Sequence, residues 1–433
     1  MRSKGVAHVL SWVGALCIVL WGCAPEGGRD TLPSAEQRAD TALVVSSDPE
    51  LRRLASTLLP TLADRAGLEL LDPVRVERRS REQLERYLVA KLDADLSVEE
   101  AEWISESYGL LGLVPPDLDL RSLLLSVYTE QVAGFYDPDS TALFVMDDQS
   151  DDELTTVLIH ELVHAVQDQA VDLEEITDRR LGNDRQTAAQ AAIEGHATLV
   201  MIEFVLERSE GRRIELSELP DMETLMQATL GSVDTQYPAL AMAPPVFQEA
   251  LLFPYLRGAG FVQHIWESQG HRASVLDGFL PVSTEQVLDP DRLLEGTRDD
   301  PVRVGLEPTE DSALIYANSL GQLETGIFLE TRLGSGGAGL AQGWDGDRFA
   351  LMESGSGERG LVWAVAWDDE ASRDRFVSAL DGGLVGLSTS GEVRSMDVAG
   401  KPLAVVRLGP VPAPVVTVEP WEAEAGATRG GAG

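Results

Sequence analysis

The alternation of apolar and polar residues divides this chain into stretches of different texture. "VRVERRS" (74–80) alternates as a short strand does, and "REQLERYLVAKL" (81–92) then takes up helical spacing, with Ser80 placed to cap it. "SVEEAEWISESYGLLGLV" reads as a helix with a glycine stop, and "LDLRSLLLSVYTEQV" as another. "AGFYDPDSTALFVMDD" holds two β-prone runs around Asp137-Pro138-Asp139-Ser140, the turn chemistry of a hairpin. "DELTTVLIHELVHAVQDQ" (152–169) has an amphipathic helical pattern. A long helical pattern follows from about Asp184 to Arg208, with further helical segments expected to about residue 332.

"GSGGAG" (334–339) reads as a linker, and the texture changes after it. "RFALMES" and "GLVWAVAWD" are strand-like, "DEASRDRFVSAL" helical, and "GEVRSMDVAG" with "KPLAVVRLG" a hairpin. The expected organisation is a main domain over 47–333, a small α+β module over 340–410 and a disordered tail over 411–433. No internal repeat is evident.

The N-terminus has a different character. Arg2 and Lys4 precede the apolar "VAHVLSWVGALCIVLWG", the layout of a secretory signal over 1–22 and rather short for a spanning helix. It ends in "LWGC", which looks like a bacterial lipobox, with Trp21 where a small or aliphatic residue is usual. Cys23 would then carry lipid at the start of the mature chain, anchoring an extracytoplasmic protein to a cell-envelope membrane. The polar, Gly- and Pro-rich stretch beyond it makes 23–46 a tether. Cleavage also removes Cys17, the only other cysteine, so the mature chain is expected to hold no disulfide. The formal net charge of −38, from 34 basic and 72 acidic residues, repels nucleic-acid phosphates and argues against such partners.

Chemistry enters at "LIHELVHAVQDQ". His160 and His164 stand one turn apart, about 40° around the helix, with Glu161 beside them. Two imidazoles at this spacing suit one tetrahedral zinc ion, and the adjacent carboxylate suits a general base. A catalytic zinc needs a third protein ligand, and "AAIEGHATLV" offers Glu194 and His196. These two lie about 200° apart on a helix, so only one can face the metal, and we take Glu194. Asp168, one turn beyond His164, is a candidate to orient an imidazole. Tyr255, His264 and His271 are candidates to stabilise an oxyanion. Ser283, Thr284 and Glu285 fit a helix N-cap. "TALFV" (141–145), just before the motif helix, is the expected edge strand for pairing with an extended substrate.

"TEQVAGFYDPDSTALFV", "LIHELVHAVQDQ" and "AAIEGHATLV" resemble the signatures of a set of bacterial secreted or lipoprotein zinc metallopeptidases of gluzincin-like layout. "FPYLRGAGFV", "PVSTEQVLDPDRL" and "GWDGDRFAL" with "WAVAWDDEASRDRF" are similar to further blocks of that set, so the likeness runs from about residue 70 to 380. The resemblance implies an α+β, zincin-like catalytic domain. It implies zinc on His160, His164 and Glu194, Glu161 as general base, and a peptide or protein substrate. This chain has E-G-H-A where the set has E-G-D-A, and Leu288-Asp289-Pro290 where the set has L-H-P. The alternative expectation is a surface-binding or assembly lipoprotein whose zinc site is structural or inactive.

Overall fold

Among the described residues, polar and apolar positions partition into helices and three separate sheets, giving a mixed α+β chain. The structure is a computed structural model and describes residues 43–229, 237–381, 384, 387 and 389–421. The signal-like segment, Cys23 and residues 422–433 of the expected tail lie outside the described residues. The chain forms two compact units. The first comprises the chain to Glu102, Asp119–Pro281 and Val287–Pro290; the second comprises Trp103–Leu118, Val282–Gln286 and everything from Asp291.

In the first unit, β1 (Val44–Val45), β2 (Val74–Arg79), β3 (Gly134–Asp137) and β4 (Ala142–Met146) form a sheet of order β1-β2-β4-β3. β1 and β4 run parallel to β2, and β3 returns antiparallel on β4 through the expected hairpin. "TALFV" is therefore an interior strand, flanked by β2 and β3, and not the expected edge. It is buried on both faces, so its near-continuous apolar run carries no alternation to reveal its neighbours. The outer strands, paired on one side only, are β3 and the two-residue β1.

Around this sheet lie α1 (Pro49–Ala66), α2 (Arg81–Asp95), α3 (Leu120–Gln131), α4 (Asp151–Ala170), α5 (Asn183–Glu210), α6 (Pro245–Leu256) and α7 (Gly258–Gln269). Ser80 and Ser150 each close a capping box at the start of α2 and α4, with Gln83 and Glu153 as the reciprocal partners. α5 is long and apolar enough to cross a membrane, but 67% of its apolar window is buried, as in a core helix.

The second unit carries β6 (Ser312–Asn318), β7 (Trp344–Ser354), β8 (Arg359–Trp367), β9 (Gly391–Val398) and β10 (Lys401–Leu408) as an antiparallel sheet of order β6-β7-β8-β10-β9. β5 (Arg303–Glu307) pairs with β11 (Val415–Glu419). Helices α8 (Gly321–Leu333) and α9 (Glu370–Leu380) complete it.

The expected boundaries shift in four places. Val44–Val45 of the supposed tether adds to the first sheet, and Val415–Glu419 of the supposed tail adds to β5. The region expected to be helical to residue 332 contains β5 and β6. "GSGGAG" is no spacer: Gly337–Ala341 forms a 3₁₀ turn whose glycine backbone seats against Leu329 of α8. Small residues can mean close packing as readily as looseness.

The same logic governs the crossing of α5 and α7. A Cβ on Gly195 would strike the Gly258 backbone, and one on Gly258 would strike Ala191. The two helices therefore meet backbone to backbone, one residue from Glu194. Gly195→Ala is expected to destabilise the protein by about 1–3 kcal/mol in denaturant unfolding. Gly278→Ala, where a Cβ finds only ordinary contact at 3.4 Å, should shift the midpoint little. Equal midpoints for the two variants would contradict this account of the crossing.

Candidate metal centre

α4 is more deeply buried than an amphipathic surface helix. Leu158, Ile159, Leu162, Val163, Ala165 and Val166 are all buried, and so are the polar residues between them: His160, Glu161, His164 and Gln167. Buried polar atoms need partners, and the partners of these decide what the site can do.

Three of them converge. His160 Nε2 lies 3.1 Å from Glu194 Oε2, and His164 Nε2 lies 3.5 Å from the same oxygen. The two Nε2 atoms are 3.0 Å apart, with the rings inclined at 73°. Glu194 sits on α5, which packs on α4, so the three groups come from two helices held against each other.

The tautomers follow from the hydrogen bonds. Gln167 Nε2 donates to the Ile193 carbonyl at 3.0 Å, which fixes the amide's orientation. Its Oε1 must then accept from His164 Nδ1–H, at 2.7 Å. Neutral His164 therefore carries its proton on Nδ1 and presents a bare Nε2 lone pair to the cluster. Gln167 Nε2 also donates to His196 Nδ1 at 2.9 Å. That leaves His196 the Nε2–H tautomer, which donates at 3.1 Å to the carbonyl of Ala66, the last residue of α1. Helix C-termini leave such carbonyls without intrahelical partners.

Electrostatics point the same way. Burial pushes the Glu194 carboxyl up, but the charges and hydrogen bonds of His164 and His160 outweigh it and bring it down to about 2. Burial pushes His160 below the usual imidazole range. It acts in the same sense on His164, where Glu194, with a contribution from Glu161, more than offsets it and raises the group. His196 falls to about 4 through burial, against the pull of the Ala66 carbonyl, and so stays neutral near pH 7. Two imidazole nitrogens and an ionised carboxylate thus converge within 4.8 Å, all buried, with at most one proton among them when both rings are neutral. This donor set fits a small divalent cation with nitrogen and oxygen preference and an open fourth position.

The remaining candidates lie elsewhere. Asp168 does not reach an imidazole: it accepts from the Tyr136 hydroxyl at 2.7 Å and from Leu173 N at 3.2 Å, tying the end of α4 to β3. The residue that orients His164 is Gln167, one position earlier. The i, i+3 spacing from His164 was the available signal. His196, the departure from E-G-D-A, is the buttress of that glutamine. His271 lies 3.6 Å from buried Glu203 and edge-on to Trp266. His264 lines an open cavity with Asp221, Glu223 and Arg257, which contains no member of the cluster. Tyr255 is buried on α6, which packs against α5. Asp289 is exposed.

In the second unit, Ser283 accepts from Gln286 N as an N-cap does, and Thr284 accepts from Leu323 N. Asp299, Asp345 and Asp368 form a further carboxylate group, already compensated by Arg292 and Lys401.

Residues 311–396 match a family model described as a domain of unknown function, DUF8575. That stretch holds β6, α8, β7, β8, α9 and most of β9, all in the second unit, and none of the His160 cluster. No curated protein and no solved structure matches the chain.

The hydrogen-bond chain makes a prediction about protons. Long-range ¹⁵N NMR on histidine-labelled protein at alkaline pH, above the raised range of His164 so that its ring is neutral, should find His164 protonated on Nδ1 and His196 on Nε2. Gln167→Ala should abolish the single-tautomer signature of His164. A proton on His196 Nδ1 would contradict the assigned chain.

Proposed function

We propose that this chain is a zinc-dependent metallopeptidase, held at the cell envelope by lipid on Cys23 and built on a zincin-like catalytic unit. The observation that carries the reading is the buried convergence of His160, His164 and Glu194 with Glu161 next in sequence on the same helix. The resemblance of the motif blocks to bacterial zinc metallopeptidases supports it, as does a sheet whose antiparallel outer strand, β3, packs beside α4.

The roles follow from position. His160, His164 and Glu194 hold zinc. When bound, zinc supplies Lewis acidity toward a scissile carbonyl and an attacking water. Gln167 keeps the His164 lone pair directed at the site, and His196 keeps Gln167 in place. Glu161, fully buried, takes a proton on its carboxylate from the attacking water and passes it to the leaving amine. Apolar neighbours on α4 exclude bulk water around that carboxylate and so strengthen its electrostatic interactions. A structural zinc site is closed by four protein donors, whereas three converge among the described residues.

The test separates binding from chemistry. Purified protein should hold about one zinc per chain, and the His160→Ala, His164→Ala double variant should hold none. Zinc-loaded wild type should cut extended peptides in a broad library. Glu161→Gln should keep its zinc and its melting behaviour but lose cleavage by about 10²–10⁴-fold. Undiminished cleavage in Glu161→Gln would defeat the reading.

A further inference from the structure

The two faces of the first sheet differ in chemistry. Gly134 and Tyr136 of β3 point at α4: a Cβ at Gly134 would meet Val157, and the Tyr136 hydroxyl reaches Asp168. Strand alternation puts Phe135 and Asp137 on the opposite face. There, Tyr87 of α2 stacks on Phe135 at 4.8 Å and donates to Asp137 at 3.0 Å. The register carries this face across the sheet, pairing Phe135 with Phe144, Asp137 with Ala142, Ala142 with Arg75, and Met146 with Arg79.

A cavity of about 310 Å³ opens on this face. Arg75 and Arg79 from β2 and Arg86 from α2 line it, over a floor of Tyr87, Phe135 and Phe144. Arg79 lies over the Phe144 ring at 4.3 Å. Arg75 reaches the Ser140 carbonyl at 2.8 Å. Among the described residues, none of the three arginines forms an ion pair. Their neighbours on the same elements do: Arg78 binds Asp48 at 2.7 Å, and Arg81 binds Asp148 at 2.7 Å.

The one carboxylate in the lining, Asp137, is engaged at both oxygens, by the Tyr87 and Ser140 hydroxyls. Glu77, also on this face, is drawn to Ser47 instead. Glu82, one turn before Arg86 on α2, acts on it electrostatically without forming an ion pair. In a chain with 72 acidic and 34 basic residues, three arginines lining one cavity with no ion pair among them stand out. Like charges lining one cavity repel, and a bound anion relieves that repulsion. Guanidinium forks match the oxygens of carboxylates and phosphates, and Tyr87, half-buried in the lining, offers aromatic surface beside them. The volume lies at the small end for ligand pockets, enough for a single ring with its substituent.

We propose that this cavity is a binding site for a small aromatic oxyanion, whose carboxylate or phosphate is held by Arg75, Arg79 and Arg86 and whose ring packs against the half-buried Tyr87. The site is independent of the metal centre, which lies beyond the other face of the sheet.

Calorimetric titration of the full chain tests this. Phenyl phosphate and benzoate should bind saturably, one per chain, and less tightly as salt is added. Whichever binds tighter identifies the oxyanion. Inorganic phosphate should bind roughly tenfold more weakly or worse, and neutral benzyl alcohol should not bind. The Arg79→Gln, Arg86→Gln double variant should lose at least roughly tenfold in affinity with its zinc content unchanged. If that variant melts early, exposed Arg86→Gln alone should still weaken binding. No saturable binding of either aromatic anion would overturn the proposal. So would unchanged affinity in the folded variants, or inorganic phosphate binding as tightly as phenyl phosphate.

Discussion

A single side-chain amide holds the centre of the first unit together. Gln167 is fully buried on α4 and uses both ends of its amide on separate elements: its oxygen takes the His164 proton, and its nitrogen serves the Ile193 carbonyl and His196 of α5. Because the Ile193 carbonyl can only accept, the amide has one orientation, and His164 has one tautomer. His196 relays the constraint to the C-terminal carbonyl of α1. Three helices are thereby joined through a chain of hydrogen bonds whose direction leaves no freedom. In a low-dielectric interior each bond is expensive to leave unmade, so the chain forms as a whole or fails as a whole.

The position of Glu194 depends on that chain and on one steric allowance. Gly195 lets α7 approach the α5 backbone directly, one residue from the carboxylate that lies within 3.5 Å of both imidazole Nε2 atoms. The capping box at Ser150 starts α4 at a defined residue, and Tyr136 with Asp168 fixes its other end to β3. The anion cavity uses the opposite face of the same sheet, where polar side chains and rings alternate with the residues that support α4. One layer of strands thus carries two distinct chemistries.

Local pattern made much of this legible. Ser80, the Asp137–Ser140 turn and the i, i+4 histidines all announce themselves within a few residues, because caps, turns and helix faces are local phenomena. The strands and helix of 344–408 were readable for the same reason. What escaped depends on partners distant in sequence. Asp168 has the right helical spacing to serve an imidazole, but Tyr136 claims it. Gln167 gives no signal of its own until α5 is in place. "TALFV" lies in the sheet interior because β2, nearly seventy residues earlier, runs beside it. "GSGGAG" reads as loose by composition, yet α8 gives it a surface to close against. His196 looked like a departure from a motif and acquires a purpose only beside Gln167.

The central claim is that two imidazoles and one carboxylate hold a zinc ion with one position left open. X-ray absorption at the zinc edge of the purified protein addresses this directly. The account predicts a light-atom shell with two imidazoles, the carboxylate of Glu194 and an exchangeable oxygen that inhibitor-type ligands displace. A closed shell of four protein donors, or a zinc environment unchanged by Glu194→Ala, would contradict it.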